Sequence, residues 1–215
     1  MLIPILMSPA DLAYPITTGI VSDSFTSDTI VQATATDGVN LITSVEASGI
    51  IRVHSGFSDT VTQTFDLGGS VSGLTVVGGG LVAADGLSDT ITFYDGISST
   101  VLSSFSYNGG RGLASASGNL IACNSSTTVT IFNGSSSTVL DTIEVAGPPN
   151  SVAYDGVRLH AGVGSNVVIF DGLTSAILDT VTLSSAAVGM CFLGGDLVAT
   201  TSNAVRSTFQ RYEAG

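Results

Sequence analysis

One unit of 38 to 40 residues recurs five times along this 215-residue chain, and a period of that size constrains the architecture before any single side chain is considered. Each unit has an apolar anchor: Phe25, Phe65, Phe105, Ile143 and Val181. Thirteen residues after each anchor stands a glycine, at 38, 78, 118, 156 and 194. A leucine follows three residues later at Leu41, Leu81, Leu159 and Leu197, and two residues later at Leu120. Four units then reach a second glycine at 56, 96, 134 or 172, and nine residues lead from it to the next anchor. Five concordant copies exclude coincidence.

Within a unit, short runs of Val, Ile, Thr and Phe alternate with clusters of Gly, Asn, Asp and Ser, which is the texture of strand and turn. The fourth unit predicts strands over 151–154, 157–161, 166–170 and 177–183, with turns at Asp155-Gly156 and Asp171-Gly172. No stretch holds a 3.6-residue period long enough for a helix. Four short antiparallel strands per unit make the blade of a β-propeller. A stacked solenoid is the rival, but it uses shorter repeats and needs caps that are not apparent.

The fifth unit has strands near 187–193, 197–200 and 205–209, and then no fourth. The stretch Val21-Ser22-Asp23-Ser24-Phe25 matches Val139-Leu140-Asp141-Thr142-Ile143 position for position. The N-terminal stretch is therefore expected to complete the last blade and remove its open edge. The expected fold is all-β, a five-bladed propeller over 20–215 behind an N-terminal extension, 1–19. The blades fall near 28–67, 68–107, 108–145, 146–183, and 184–212 together with 20–27.

The run Asn166-Val-Val-Ile-Phe-Asp-Gly-Leu-Thr-Ser-Ala-Ile-Leu-Asp-Thr-Val181 resembles the YVTN-type propeller repeat, and so does Asn150-Ser-Val-Ala-Tyr-Asp-Gly156. The likeness covers about residues 20–210 at the level of the repeat. The Tyr-Val-Thr-Asn tetrapeptide and WD dipeptides are both absent. The resemblance implies surface-layer, adhesive or phage-particle company.

Charge narrows the partners. Seventeen acids face five arginines and no lysine, a net charge of −12, which disfavours nucleic acid and anionic membrane. No stretch is long enough to span a bilayer. The opening MLIPILMSPADLAYPI lacks a basic region and is broken by Pro4 and Asp11, so it reads as mature chain. Two cysteines, Cys123 and Cys191, fall in different blades and read as buried small hydrophobes.

Chemistry-bearing motifs are few. Most acids fall in turns (Asp37, Asp95, Asp155, Asp171) or on outer strands (Asp23, Asp141, Asp179), away from a central pocket. His54 and His160 lie in separate blades with no Cys or carboxylate at ligand spacing, so neither a metal nor a cofactor is expected. The Asp-Gly turns lack calcium-loop spacing. Arg111, set in Asn108-Gly109-Gly110-Arg111-Gly112, is the residue that stands out. It falls between an outer strand and the next inner strand, where a lone cation could meet a carboxylate or sugar, or make an inter-blade hydrogen bond. Asn124, Asn150, Asn166 and Asn203 are expected in loops on the same face, as ligand-binding amides or as turn formers.

These readings point to a structural or interaction protein that is not an enzyme, specifically a phage-type virion component contacting other subunits, in a virion or extracellular setting. The alternative is a carbohydrate-binding propeller, for which Tyr94, Phe132 and Phe170 would supply aromatic platforms.

Overall fold

A computed structural model describes residues 21–202 and 206–212. Twenty strands form five four-stranded antiparallel sheets arranged as a ring, a five-bladed β-propeller. The first blade holds β2 (Val31–Thr36), β3 (Leu41–Val45), β4 (Ile50–His54) and β5 (Val61–Asp66). The second holds β6 (Val71–Val77), β7 (Gly80–Asp85), β8 (Thr90–Tyr94) and β9 (Val101–Ser106). The third comprises β10 (Leu113–Ala116), β11 (Asn119–Cys123), β12 (Thr128–Phe132) and β13 (Val139–Glu144). The fourth comprises β14 (Ser151–Tyr154), β15 (Leu159–Val163), β16 (Asn166–Phe170) and β17 (Ile177–Thr182).

The last blade runs β18 (Ala187–Leu193), β19 (Asp196–Ser202), β20 (Ser207–Tyr212) and then β1 (Val21–Thr26), so the N-terminal strand completes it as expected. Val21 faces Tyr212 and Phe25 faces Phe209, the register that pairs Val139 with Phe132 and Ile143 with Val129 in the third blade. The Phe25 and Phe209 rings stack at 4.5 Å, with Phe57 of blade 1 edge-on to Phe25 at 5.0 Å.

The two glycine series mark two turns. All five glycines of the first series have positive φ, between 59° and 98°, as do the four of the second, between 56° and 62°. The left-handed region accepts glycine without the Cβ clash other residues suffer. The second turn is one closed loop used four times. Ser55, Asp95, Asn133 and Asp171 each donate a backbone N–H to the carbonyl five residues on, at 2.8–2.9 Å. A hydroxyl of Ser58, Ser98, Ser136 or Thr174 returns to the first residue's carbonyl at 2.7–2.8 Å.

The core is divided into five wedges, one at each blade–blade seam. Inner and second strands are buried nearly throughout, and the five leucines of the repeat are at most 1% exposed. Outer strands are exposed except at the anchor, which turns inward: Ile143 and Val181 are buried, Phe25, Phe65 and Phe105 half-buried. Strand β15 begins at Leu159 rather than Val157, because Asp155 Oδ1 accepts the amides of Val157 (2.7 Å) and Arg158 (2.5 Å) and prolongs the turn. Among the described residues, no helix is long and apolar enough to cross a membrane.

Candidate functional site

Each inner strand starts at the same end of the ring, and one residue at or beside that start lines the axial mouth. These residues are Gln32, Ser72, Arg111, Asn150 and Val188, each nine residues before the leucine of its unit. In blades 1, 2 and 5 the residue sits at a β-bulge, since pairing skips from Val31 to Ala33, from Val71 to Gly73 and from Ala187 to Gly189. A bulge re-aims its side chain. All five line one cavity of about 470 Å³ at the axial mouth, together with Ser70, Gly109, Gly110, Ser125 and the rim residue Leu87.

Below the mouth the axis closes. The next residues of the inner strands, Ala33, Gly73, Gly112, Ser151 and Gly189, are small because neighbouring backbones touch there. A Cβ on Gly112 would lie 2.6 Å from Ser151 Cα, and one on Gly189 2.8 Å from Thr34 N. The buried side chains of Thr34, Leu74, Leu113, Val152 and Met190 fill the waist, leaving about 10 Å³. The mouth is thus a closed-bottomed cup.

Arg111 supplies the cup's charge. Its Nε donates to Ser125 Oγ (3.2 Å) and its Nη1 to Asn150 Oδ1, so the guanidinium bridges blades 3 and 4. Both partners are neutral, and among the described residues no carboxylate lines the cavity. The loop leading to Arg111 is held in place by its surroundings. Asp89 accepts Gly109 N–H on its carboxylate (2.7 Å) and Tyr107 N–H on its backbone carbonyl (2.8 Å). Ser72 Oγ reaches Gly110 O (2.7 Å), and Arg111 N–H donates to Cys123 O (2.8 Å).

Asn108, Asn124 and Asn166, also singled out by sequence, do not line the cup. Asn108 is an exposed loop residue outside its lining. Asn124 Oδ1 accepts Ser126 N–H (2.9 Å) and hydroxyl (2.5 Å), a turn former beside Ser125. Asn166 opens β16, exposed, with Oδ1 accepting the Thr182 hydroxyl at 2.9 Å. Asn203 falls outside the described residues. Gln32, Ser72 and Val188 were missed by residue type, although their offset from the repeat leucines identifies them.

Tyr94, Phe132 and Phe170 are buried to 6%, 3% and 0%, so they pack seams rather than offer sugar platforms. Cys123 and Cys191 are buried free thiols, each pushed up to about 12 by burial. The histidines depart from expectation in one respect: His160, buried, meets a carboxylate after all, with Nε2 3.2 Å from Asp155 Oδ2. Burial alone would raise the Asp155 pKa, but this bond and the amides of Arg158 and Val157 hold it below the ordinary value. Among the described residues, no group of three or more His, Cys, Asp or Glu is placed to hold a metal.

A second cavity of about 480 Å³ lies where β1 meets blade 1, lined by Asp28, Arg52, His54 and Asp59 among others. Its arginine is already paired: Arg52 Nη1 sits 2.7 Å from Asp28 Oδ1 and draws that carboxyl's pKa down. His54 is buried against Thr43 Oγ1 (3.1 Å), and burial lowers its pKa.

No family model matches the chain, and no curated protein matches it in sequence. Solved structures do match in fold. The glutaminyl cyclase of Myxococcus xanthus has a TM-score of 0.76 at 15% identity, over 89% of this chain and 94% of that one. A chain of the Mitotic Checkpoint Complex gives 0.56 at 14% identity, over 85% of this chain and 62% of that one. The computationally designed Ika8 protein gives 0.52 at 13%, over 84% and 58%.

The first match corrects one expectation. Absence of a recognisable catalytic motif is no ground for calling the chain not an enzyme, because a chain of this architecture and nearly this length is a cyclase. The physical reason lies in the ring: residues that meet on a propeller axis stand one repeat apart, so a site there leaves no contiguous motif. At 15% identity the likeness shows the fold and assigns no activity.

Proposed function

We propose that this protein is a recognition module that receives a group of a partner protein in the axial cup formed by Gln32, Ser72, Arg111, Asn150 and Val188. The observation that carries this reading is a break in the repeat. The leucines, turn glycines and anchors recur from blade to blade, whereas the five equivalent mouth positions hold an amide, a hydroxyl, a guanidinium, a second amide and an isopropyl group. Packing in a quasi-symmetric ring favours like residues at like positions, so five unlike groups around one cavity suit an asymmetric ligand. Leu87, 83% exposed on the rim, adds an apolar contact beside the polar cup.

Burial of Tyr94, Phe132 and Phe170 favours a protein partner over a glycan, which would want aromatic platforms. The lysine-free, Ser- and Thr-rich composition supports the narrower reading of a subunit in a phage-type particle. The test applies the protein to peptide and glycan arrays beside two variants. Ser125→Trp should fill the mouth and abolish peptide spots, while Leu178→Glu on the outer rim should leave them unchanged. Spots indifferent to Ser125→Trp, or glycan spots alone, would overturn the reading.

A further inference from the structure

The group that fits the cup can be named by its chemistry. An arginine has five N–H donors, and the two bonds made by Arg111 Nε and Nη1 leave Nη2 and the second hydrogen of Nη1 without an acceptor among the described residues. Nη2 keeps both of its hydrogens, and the paired N–H groups of a guanidinium match a carboxylate bidentately. Among the described residues the positive charge has neutral partners only and the cup wall carries no acid, in a chain whose net charge is −12. Asn150 spends its oxygen on Arg111, so its amide NH2 remains as a donor, and Gln32 contributes a second amide.

Ligand charge is bounded from above as well. One cation balances one negative charge, while the chain's net charge of −12 disfavours a dianion further. A phosphate dianion or a nucleic-acid strand is therefore a poorer match than a single carboxylate. Orientation is fixed in advance, because Asp89, Ser72 and Cys123 O hold the Arg111 loop and Ser125 and Asn150 hold its side chain. Little ordering remains to oppose binding.

We infer that the axial cup binds a monocarboxylate on Arg111, with Asn150 positioning the guanidinium. This rests on the cup being the recognition site and adds the ligand class. Two sources share that chemistry: a partner's C-terminus and a free small acid.

The experiment is titration calorimetry on the whole chain, using N-acetylglycine and its neutral amide, a tripeptide with free or amidated C-terminus, and inorganic phosphate. The acids should bind at least about tenfold tighter than their amides, as expected for a charge-assisted pair, and phosphate more weakly than either acid. Arg111→Gln should erase that preference with an unchanged melting temperature, and Arg111→Lys should restore only part of it. Preference for the tripeptide acid assigns a protein C-terminus, and equal binding of both acids assigns a small-molecule ligand. Equal binding of acid and amide, tighter phosphate, no binding of any acid, or wild-type behaviour in Arg111→Gln overturns the inference. Array spots that vanish in Ser125→Trp but persist in Arg111→Gln would leave the recognition site standing and remove the carboxylate alone.

Discussion

At the residue scale, the cup and its floor depend on opposite properties of adjacent positions. Arg111 lines the open mouth, while Gly112 lies against the neighbouring blade's backbone, where a methyl would sit 2.6 Å from Ser151 Cα and 2.8 Å from Val152 N. Gly112→Ala should therefore destabilise by roughly 2–4 kcal/mol in urea unfolding, since neither backbone atom can yield without moving a blade. A loss under about 0.5 kcal/mol would mean that the inner strands are not held that closely. Asp155 offers a pH test. Its folded pKa lies below the ordinary 3.8, so its contribution is complete above that value and fades as pH falls through the folded pKa. Asp155→Asn should melt below the wild type at neutral pH, and the gap should narrow as the pH drops below 3.8. A gap constant with pH would show that geometry rather than charge sets the contribution of Asp155.

At the element scale, β1 is the strand whose neighbours in sequence and in space differ most. It joins β20 through pairs such as Phe25 with Phe209, from opposite ends of the chain. Removing residues 1–26 would expose β20 and unstack Phe25 from Phe209 and Phe57. The expected result is a melting temperature lower by more than roughly 10 °C, or insoluble protein, measured by calorimetry. A shift within a degree or two would show that the seam closes without it. This strand was legible in the sequence because its Val-x-Asp-x pattern and apolar anchor, Phe25, match Val139-x-Asp141-x-Ile143 of the third blade. Turns were legible through glycines that the left-handed region demands. The cup was legible only in part. Arg111 and Asn150 stand out as residue types in loops, but their shared offset from Leu120 and Leu159 is what joins them to Gln32, Ser72 and Val188. Unlike residues at equivalent positions give no signal to a search by type. Contact between His160 and Asp155 was hidden for another reason: the turn between them brings together side chains five residues apart, which strand periodicity alone would not pair.

At the scale of the whole molecule, blade equivalence extends to where the chain may be opened. In blades 1 to 4 the third and outer strands are joined by the same six-residue loop, such as Asp95–Thr100 between β8 and β9, closed by the Asp95 N–H to Thr100 O bond at 2.9 Å. The last blade has β20 and β1 in the same antiparallel register, with Tyr212 opposite Val21 as Phe132 is opposite Val139. If the ring is a set of equivalent wedges, the loop sequence Asp-Gly-Ile-Ser-Ser-Thr placed between Tyr212 and Val21 should join them without strain. New ends could then be cut between Gly68 and Gly69, in the exposed link between blades 1 and 2. Every blade of that permutant would be continuous in sequence, and the closing strand would no longer be donated from the far end of the chain. Its seams and cup would be unchanged, so its melting temperature should fall within about 5 °C of the parent, the shift expected from one or two kcal/mol in a chain of this size. Carboxylate affinity should be retained as well, because Arg111 and Asn150 stand in blades 3 and 4, away from the new ends. Folding should be faster in the permutant, since the last blade would no longer wait on a contact spanning the whole chain. A permutant that fails to fold would mean that β1 is held in the last blade by something other than the shared blade geometry.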